Sequence, residues 1–165
     1  MNDPSVIPPG GRALEDAERE ALLVDLEQVL DASHLFKSLG PDGRRALVHA
    51  GYVVFLEPGE SLMTQGDEGS TMYLVLDGKV RVETSSAAGT VQLAELGRGA
   101  CLGEVSVLTG SPRTATMTAL AATQCMTFEK HRIVRLADAY PRVRQLLEAM
   151  IAGRARDTLE KILGS

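Results

Sequence analysis

The sequence predicts a mainly β fold with flanking helices: an antiparallel β-barrel or jelly roll with N-terminal helices, one short internal helix and two C-terminal helices. Three observations predict it. Between Gly51 and Phe128 the apolar residues recur with a period of two, in short runs. Turn signals built on Pro and Gly separate these runs, and no helical pattern intervenes between most of them, which indicates antiparallel neighbours. On both sides of this region the apolar positions return at helical spacing.

The elements follow in order. Residues 1–12 are expected to form a disordered tail, because Pro4, Pro8, Pro9, Gly10 and Gly11 leave little to pack. Residues 13–32 form an N-terminal helical extension. Leu22, Leu26, Val29 and Leu30 share one face, and Glu15, Asp16, Glu18 and Glu20 favour its N-terminal half. The domain proper spans 33–165. It starts with a helical turn over 34–39 and a helix over 41–50, which has Pro41 at its first position and Gly51 at its end.

Strands are expected at 52–56, 61–65, 72–76, 80–84, 91–96, 114–120 and 124–128. Glu57-Pro58-Gly59-Glu60 places Pro and Gly at the centre of a type II turn. Gly66-Asp67-Glu68-Gly69 forms a second turn. Asp77-Gly78 reads as a two-residue hairpin between its flanking strands. Residues 85–89 make a looser hairpin loop. Two helices close the chain, over 130–137 and 141–163. The second starts on Pro141 and carries the apolar stripe Val143, Leu147, Met150, Ile151, Leu159 and Ile162.

Composition narrows the function. Lys and Arg number 17 against 22 Asp and Glu, a net charge of −5. Nucleic-acid-binding domains carry a basic surplus instead. The chain has no Trp and only 3 Tyr and 3 Phe, too few for a base-stacking platform. No apolar run is long enough to span a bilayer, and the start lacks the basic and apolar regions of a signal peptide. Cys101 and Cys125 sit in apolar runs as small buried thiols, which points to a reducing, cytoplasmic compartment. His34, His49 and His131 are too dispersed for a metal site, and no arrangement of nucleophile and base suggests an enzyme.

The strand pattern is interrupted at 97–113. There Gly103 permits close backbone approach, Glu104–Leu108 form a short helix, Gly110 caps it, and Pro112 turns the chain into Arg113. Free amides at a helix start and a forked guanidinium suit a phosphate, while a carboxylate suits a sugar hydroxyl. Side by side in a β-barrel cleft, they fit a phosphorylated sugar ring. As a bland alternative, Glu104 and Arg113 form a simple surface ion pair.

Gly103-Glu104-Val105-Ser106-Val107-Leu108 followed by Pro112-Arg113-Thr114-Ala115-Thr116 resembles the phosphate-binding cassette of cyclic nucleotide-binding domains. Glu57-Pro-Gly-Glu60, Gln65-Gly-Asp67, the segment from Met72 to Val82 and Leu96-Gly-Arg-Gly99 are similar too, so the resemblance covers about 35–163. It extends to the sensor domains of catabolite activator-type regulators and cyclic nucleotide-dependent kinases.

The resemblance implies a ligand, cAMP or cGMP, and no further cofactor. Glu104 would bind the ribose 2′-hydroxyl and Arg113 the cyclic phosphate. Amides of Gly103, Glu104, Thr114 and Ala115 would complete the cradle, with Val105 in the same binding turn. Thr114 would lie near the purine, and the wall under the base would include Val82 and Leu93 or Leu102. The last helix would act as a lid that reports occupancy to a protein partner or a homodimer formed through the terminal helices. Cys101 and Ser106 depart from the family's usual residues. The charged residues of the last helix, Arg154 among them, are expected on a solvated face. The chain is expected to be a stand-alone, non-enzymatic sensor. The rival is a docking or dimerisation scaffold with the same fold and a vestigial pocket.

Overall fold

The computed structural model describes residues 11–12, 29, 33, 36–37 and 39–163. Nine strands and four helices lie among them: β1 (Gly11–Arg12), α1 (Pro41–Ala50), β2 (Gly51–Leu56), β3 (Ser61–Met63), β4 (Thr71–Asp77), β5 (Val80–Ser86), β6 (Gly89–Leu96), β7 (Cys101–Leu102), α2 (Glu104–Thr109), β8 (Thr116–Ala119), β9 (Thr123–Glu129), α3 (Lys130–Ala139) and α4 (Pro141–Leu163). The strands form two sheets, ordered β1-β2-β9-β4-β7 and β3-β8-β5-β6. Every pairing is antiparallel.

The alternation of side chains along the first sheet builds two cores at once. Val53 of β2, Met72 and Leu74 of β4, and Met126 and Phe128 of β9 face the helices. There they meet Leu47 of α1, Ile133 of α3, and Val143 and Leu147 of α4. Their strand neighbours Val54, Tyr73, Val75 and Cys125 point the other way, into the space between the sheets. Met63, Val80, Val82 and Met117 of the second sheet meet them there. A strand covered on both faces reads as a continuous apolar run, and Met72–Leu76 is such a run. The second sheet covers only its inner face, so β5 alternates buried and part-buried from Val80 to Thr84.

The predicted fold class is the observed one, with local differences. The Asp77-Gly78 hairpin does not form. β4 pairs with β9 and β7, whereas β5 pairs with β6 and β8. Asp77-Gly78 instead steps the chain from one sheet to the other. Gly78 (φ +102°) lies so close to the 122–123 segment that a Cβ there would sit 2.5 Å from Thr123 Oγ1 and 2.7 Å from the Ala122 carbonyl. The true tight hairpin is the next one, where Ser86 faces Gly89 across Ala87-Ala88. The Pro58-Gly59 turn forms as expected, with Glu60 N–H donating to the Glu57 carbonyl at 3.1 Å.

Strand β7, expected as loop, pairs with Tyr73 and Leu74. β8 starts at Thr116, two residues later than expected, because the cassette loop continues past Arg113. Within the segment read as a tail, Gly11 and Arg12 pair with Val54 and Val53. Of the helical extension only Val29 is among the described residues; it is helical and buried in the first core.

Phe128 is fully buried and meets the Phe36 ring at 6.3 Å between centroids, tilted by 57°. Phe128→Ala should cost about 3–5 kcal/mol of stability by urea denaturation, through lost burial and the cavity left behind.

Candidate functional site

The site is assembled where the second sheet, the α2 turn and the last helix meet. The turn at 97–100 is tied to the central strand: Gly99 N–H donates to the Val75 carbonyl and Val75 N–H to the Ala100 carbonyl, both at 2.9 Å. β7 then runs beside Tyr73 and Leu74, which delivers Gly103 to the start of β4. Gly103 adopts a left-handed conformation, φ +89°. A Cβ there would lie 2.5 Å from the Thr71 carbonyl and 2.9 Å from Arg113 Nη1, so only glycine fits. Gly110 closes α2 in the expected left-handed cap, with its N–H on the Ser106 carbonyl at 3.0 Å. The chain then returns to the Gly66 turn, where Arg113 N–H donates to Asp67 O at 2.8 Å and Gly66 N–H to Arg113 O at 2.9 Å.

This frame surrounds a cavity of about 400 Å³, within the range of small-molecule sites. Val82, Leu93 and Leu102 form an apolar wall. Gly103, Glu104 and Val105 line the cassette side, and Thr114 and Ala115 the side where the chain leaves it. Eight of the nine residues singled out from sequence therefore face one space. The ninth, Arg113, lies behind Gly103, where Nη1 approaches the Gly103 carbonyl at 3.5 Å. Met63, Leu96, Ile151 and Arg154 also line the cavity and were not anticipated.

Glu104 is 1% exposed. Its Oε1 accepts a hydrogen bond from Arg154 Nη1 at 2.6 Å, and its Oε2 is buried without a partner. Arg154 also donates through Nη2 to the Cys101 carbonyl. The bland alternative falls here, and one expectation is corrected. Glu104 and Arg113 are not an ion pair with each other, and neither is on the surface. Arg154 is not on a solvated face, for it reaches over the cavity from α4. The signal was present in the stripe: Leu147, Ile151 and Arg154 follow at spacings of four and three, hence on one helix face. An arginine in register with buried apolar residues uses its stem for packing and its head for a buried acceptor.

Arg113 is 5% exposed. Its guanidinium donates to the Thr71 carbonyl at 2.9 Å and to Thr71 Oγ1 at 2.8 Å, and lies 5.6 Å from the centre of the Tyr73 ring. The two cysteines are free and buried, and desolvation pushes both thiols up to about 12. Among the described residues no group of three or more His, Cys, Asp or Glu gathers in a way that could hold a metal. None of their helices is long and apolar enough to cross a membrane.

The family model for the cyclic nucleotide-binding domain matches residues 53–140. The chain belongs to the cyclic nucleotide-binding domain family. Among curated relatives, a Neurospora crassa lysophospholipase is 35% identical over 116 residues, 68% of this chain but 8% of that protein. A cAMP-dependent protein kinase regulatory subunit of Dictyostelium discoideum is 30% identical over 114 residues, covering 67% of this chain and 35% of the other. The chain therefore spans a small part of the curated relatives it matches. Among solved structures, a cyclic nucleotide-binding domain from Methylobacillus flagellatus superposes with a TM-score of 0.73 at 24% identity, covering 94% of this chain and 89% of that one. The catabolite activator protein of Thermus thermophilus gives 0.70 at 29% identity, over 78% and 61%.

The Glu104–Arg154 pair couples α4 to the cassette. Removing either partner leaves a buried or half-buried charge unmatched. Glu104→Gln and Arg154→Ala should each lower stability, and the double variant should lose at least about 1 kcal/mol less than the sum. Urea denaturation of the four proteins in the cycle measures this coupling.

Proposed function

We propose that this chain is a non-enzymatic sensor of a 3′,5′-cyclic nucleotide, with cAMP slightly favoured over cGMP. The observation that carries the proposal is the free Oε2 of Glu104. It is a buried acceptor with no donor, and it belongs to a residue that lines a mostly apolar cavity. A buried acceptor without a partner costs free energy until a donor arrives. A ribose hydroxyl is such a donor, while Val82, Leu93 and Leu102 offer the apolar surface that a purine buries. Likeness to the Dictyostelium cAMP-dependent regulatory subunit supports cAMP as the first ligand to try.

Arg113 supplies the positive charge for the cyclic phosphate, reached past Gly103. Thr114 is exposed at the cavity and offers a hydroxyl near the base, the contact by which guanine would gain. Signalling runs through α4. Ile151 and Arg154 close over the cavity, and Arg154 holds the same carboxylate that the ribose needs. A ligand that changes how Glu104 is shared changes the position that α4 prefers, by its differential affinity for the two positions. A protein partner, or a second copy of the chain, reads that position. Two buried, unpaired thiols suit work in the cytoplasm.

The second reading is a docking or dimerisation scaffold with a vestigial pocket. One observation favours it: Arg154 already occupies Glu104 Oε1. Calorimetric titration with cAMP and with cGMP, after unfolding and refolding to strip carried-over ligand, separates the readings. The sensor requires micromolar or tighter binding of at least one nucleotide. Absence of heat from both in the folded protein would overturn the sensor and favour the scaffold or a different phosphorylated ligand. In the sensor, Arg113→Ala should weaken binding by on the order of 30-fold to several thousandfold, as loss of one partner of a buried charge pair does. Glu104→Ala should cost less.

A further inference from the structure

We propose that Gly69 and Thr71 form a seat that positions the guanidinium of Arg113 for an anionic ligand, so that Thr71 is a positioning residue of the phosphate contact. The proposal rests on the nucleotide-binding reading above and adds residues to it that the cassette pattern does not contain.

Arg113 is a buried cation, and among the described residues no carboxylate pairs with it. Neutral groups hold it instead. Thr71 does so twice, through its carbonyl at 2.9 Å and its hydroxyl at 2.8 Å. Accepting from Arg113 leaves the Thr71 hydroxyl proton free, and it is donated to Tyr73 Oη at 2.8 Å. Tyr73 passes its own proton toward the Leu62 carbonyl at 3.4 Å. Every member of this relay donates in one direction, so the Thr71 oxygen has its lone pairs turned to the arginine. The Tyr73 ring face adds a second source of negative potential.

Gly69 supplies the space. A Cβ built there would sit 2.1 Å from Arg113 Nε, 2.4 Å from Cζ and 2.7 Å from Nη2, and its three nearest neighbours are all atoms of that one guanidinium. The backbone of Gly69 is outside the left-handed region, so alanine there is otherwise compatible. The guanidinium thus lies against Gly69 and Gly103 and is held there by its hydrogen bonds to Thr71. Its charge remains without a counter-ion, which is a costly state for a buried cation. An anion reaching past Gly103 relieves that cost, and the seat means that no side-chain ordering is needed when it arrives.

The experiment is calorimetric titration of whichever of cAMP and cGMP binds the full chain more tightly into that chain and into Thr71→Val, Thr71→Ser and Gly69→Ala, each also in an Arg113→Lys background. Circular dichroism checks that each variant is folded. Thr71→Val should weaken binding about tenfold or more, as removal of a hydrogen bond to a charged group does. Thr71→Ser, which keeps the hydroxyl, should stay within about threefold of the parent. Gly69→Ala should weaken binding at least as much as Thr71→Val. In the Arg113→Lys background, where the fork is gone, both effects should shrink to less than about threefold.

Equal losses for Val and Ser at 71, or full effects in the lysine background, would overturn the seat while leaving the sensor intact. So would parental affinity in Thr71→Val and Gly69→Ala. Should Thr71→Val fail to fold, Gly69→Ala and its lysine double variant decide alone. No binding of cAMP or cGMP to the parent chain would overturn the sensor and the seat together.

Discussion

Strand β4 is the constraint on which the rest of this molecule depends. It lies between β9 and β7, and both of its faces are covered. Met72 and Leu74 bind the helical layer to the sheet, while Tyr73 and Val75 fill the space between the sheets. Its carbonyl and amide at Val75 anchor the turn that leads to the cassette. Its first residue, Thr71, meets both Gly103 and Arg113. The geometry of the site is therefore inherited from a strand whose position two independent cores determine, which makes the site stiff where it meets the sheet. The remaining contact with the cavity comes from α4, through Ile151 and Arg154.

The charges are distributed to match. A carboxylate and a guanidinium lie within ten residues of each other in sequence, both buried, and they do not neutralise one another. Glu104 is matched by an arginine from a different element, fifty residues away in the chain. Arg113 is matched only by dipoles and a ring face. Had they paired directly, the cavity would be internally satisfied and would have little to offer a ligand. Kept apart, one retains an unused acceptor oxygen and the other an uncompensated charge.

Local chemistry made much of this legible in the sequence. The Pro58-Gly59 turn, the Gly103 and Gly110 caps and the period-two runs depend on residues near one another in the chain, and they appear where the sequence places them. The cassette likewise announces itself as a contiguous string. Reading failed where a local signal was overruled from a distance. Asp77-Gly78 is a good hairpin turn, but the apolar run before it must be covered on both faces, and only the first sheet offers that place. The 122–123 segment then occupies the space a hairpin partner would need. Strand β7 is two residues long and has no period to detect. Arg154 looked like a surface charge because its acceptors belong to residues far away in sequence. Gly69 looked like a plain turn residue, and Thr71 fell unremarked between that turn and the next expected strand, for the same reason.

The Arg154–Glu104 contact has one consequence that runs opposite to the direction in which a sensor is usually described. Two bonds from one side chain join the last helix to the wall of the cavity. Thermodynamic linkage makes any such connection symmetric. If filling the cavity alters how readily α4 leaves the barrel by some factor, then whatever grips α4 alters the affinity of the cavity by the same factor. A protein that captures the helix would thus set the concentration at which the domain responds. In a sensor of the kind proposed, the response threshold would then belong to the complex, and the isolated domain would report only one limit of it.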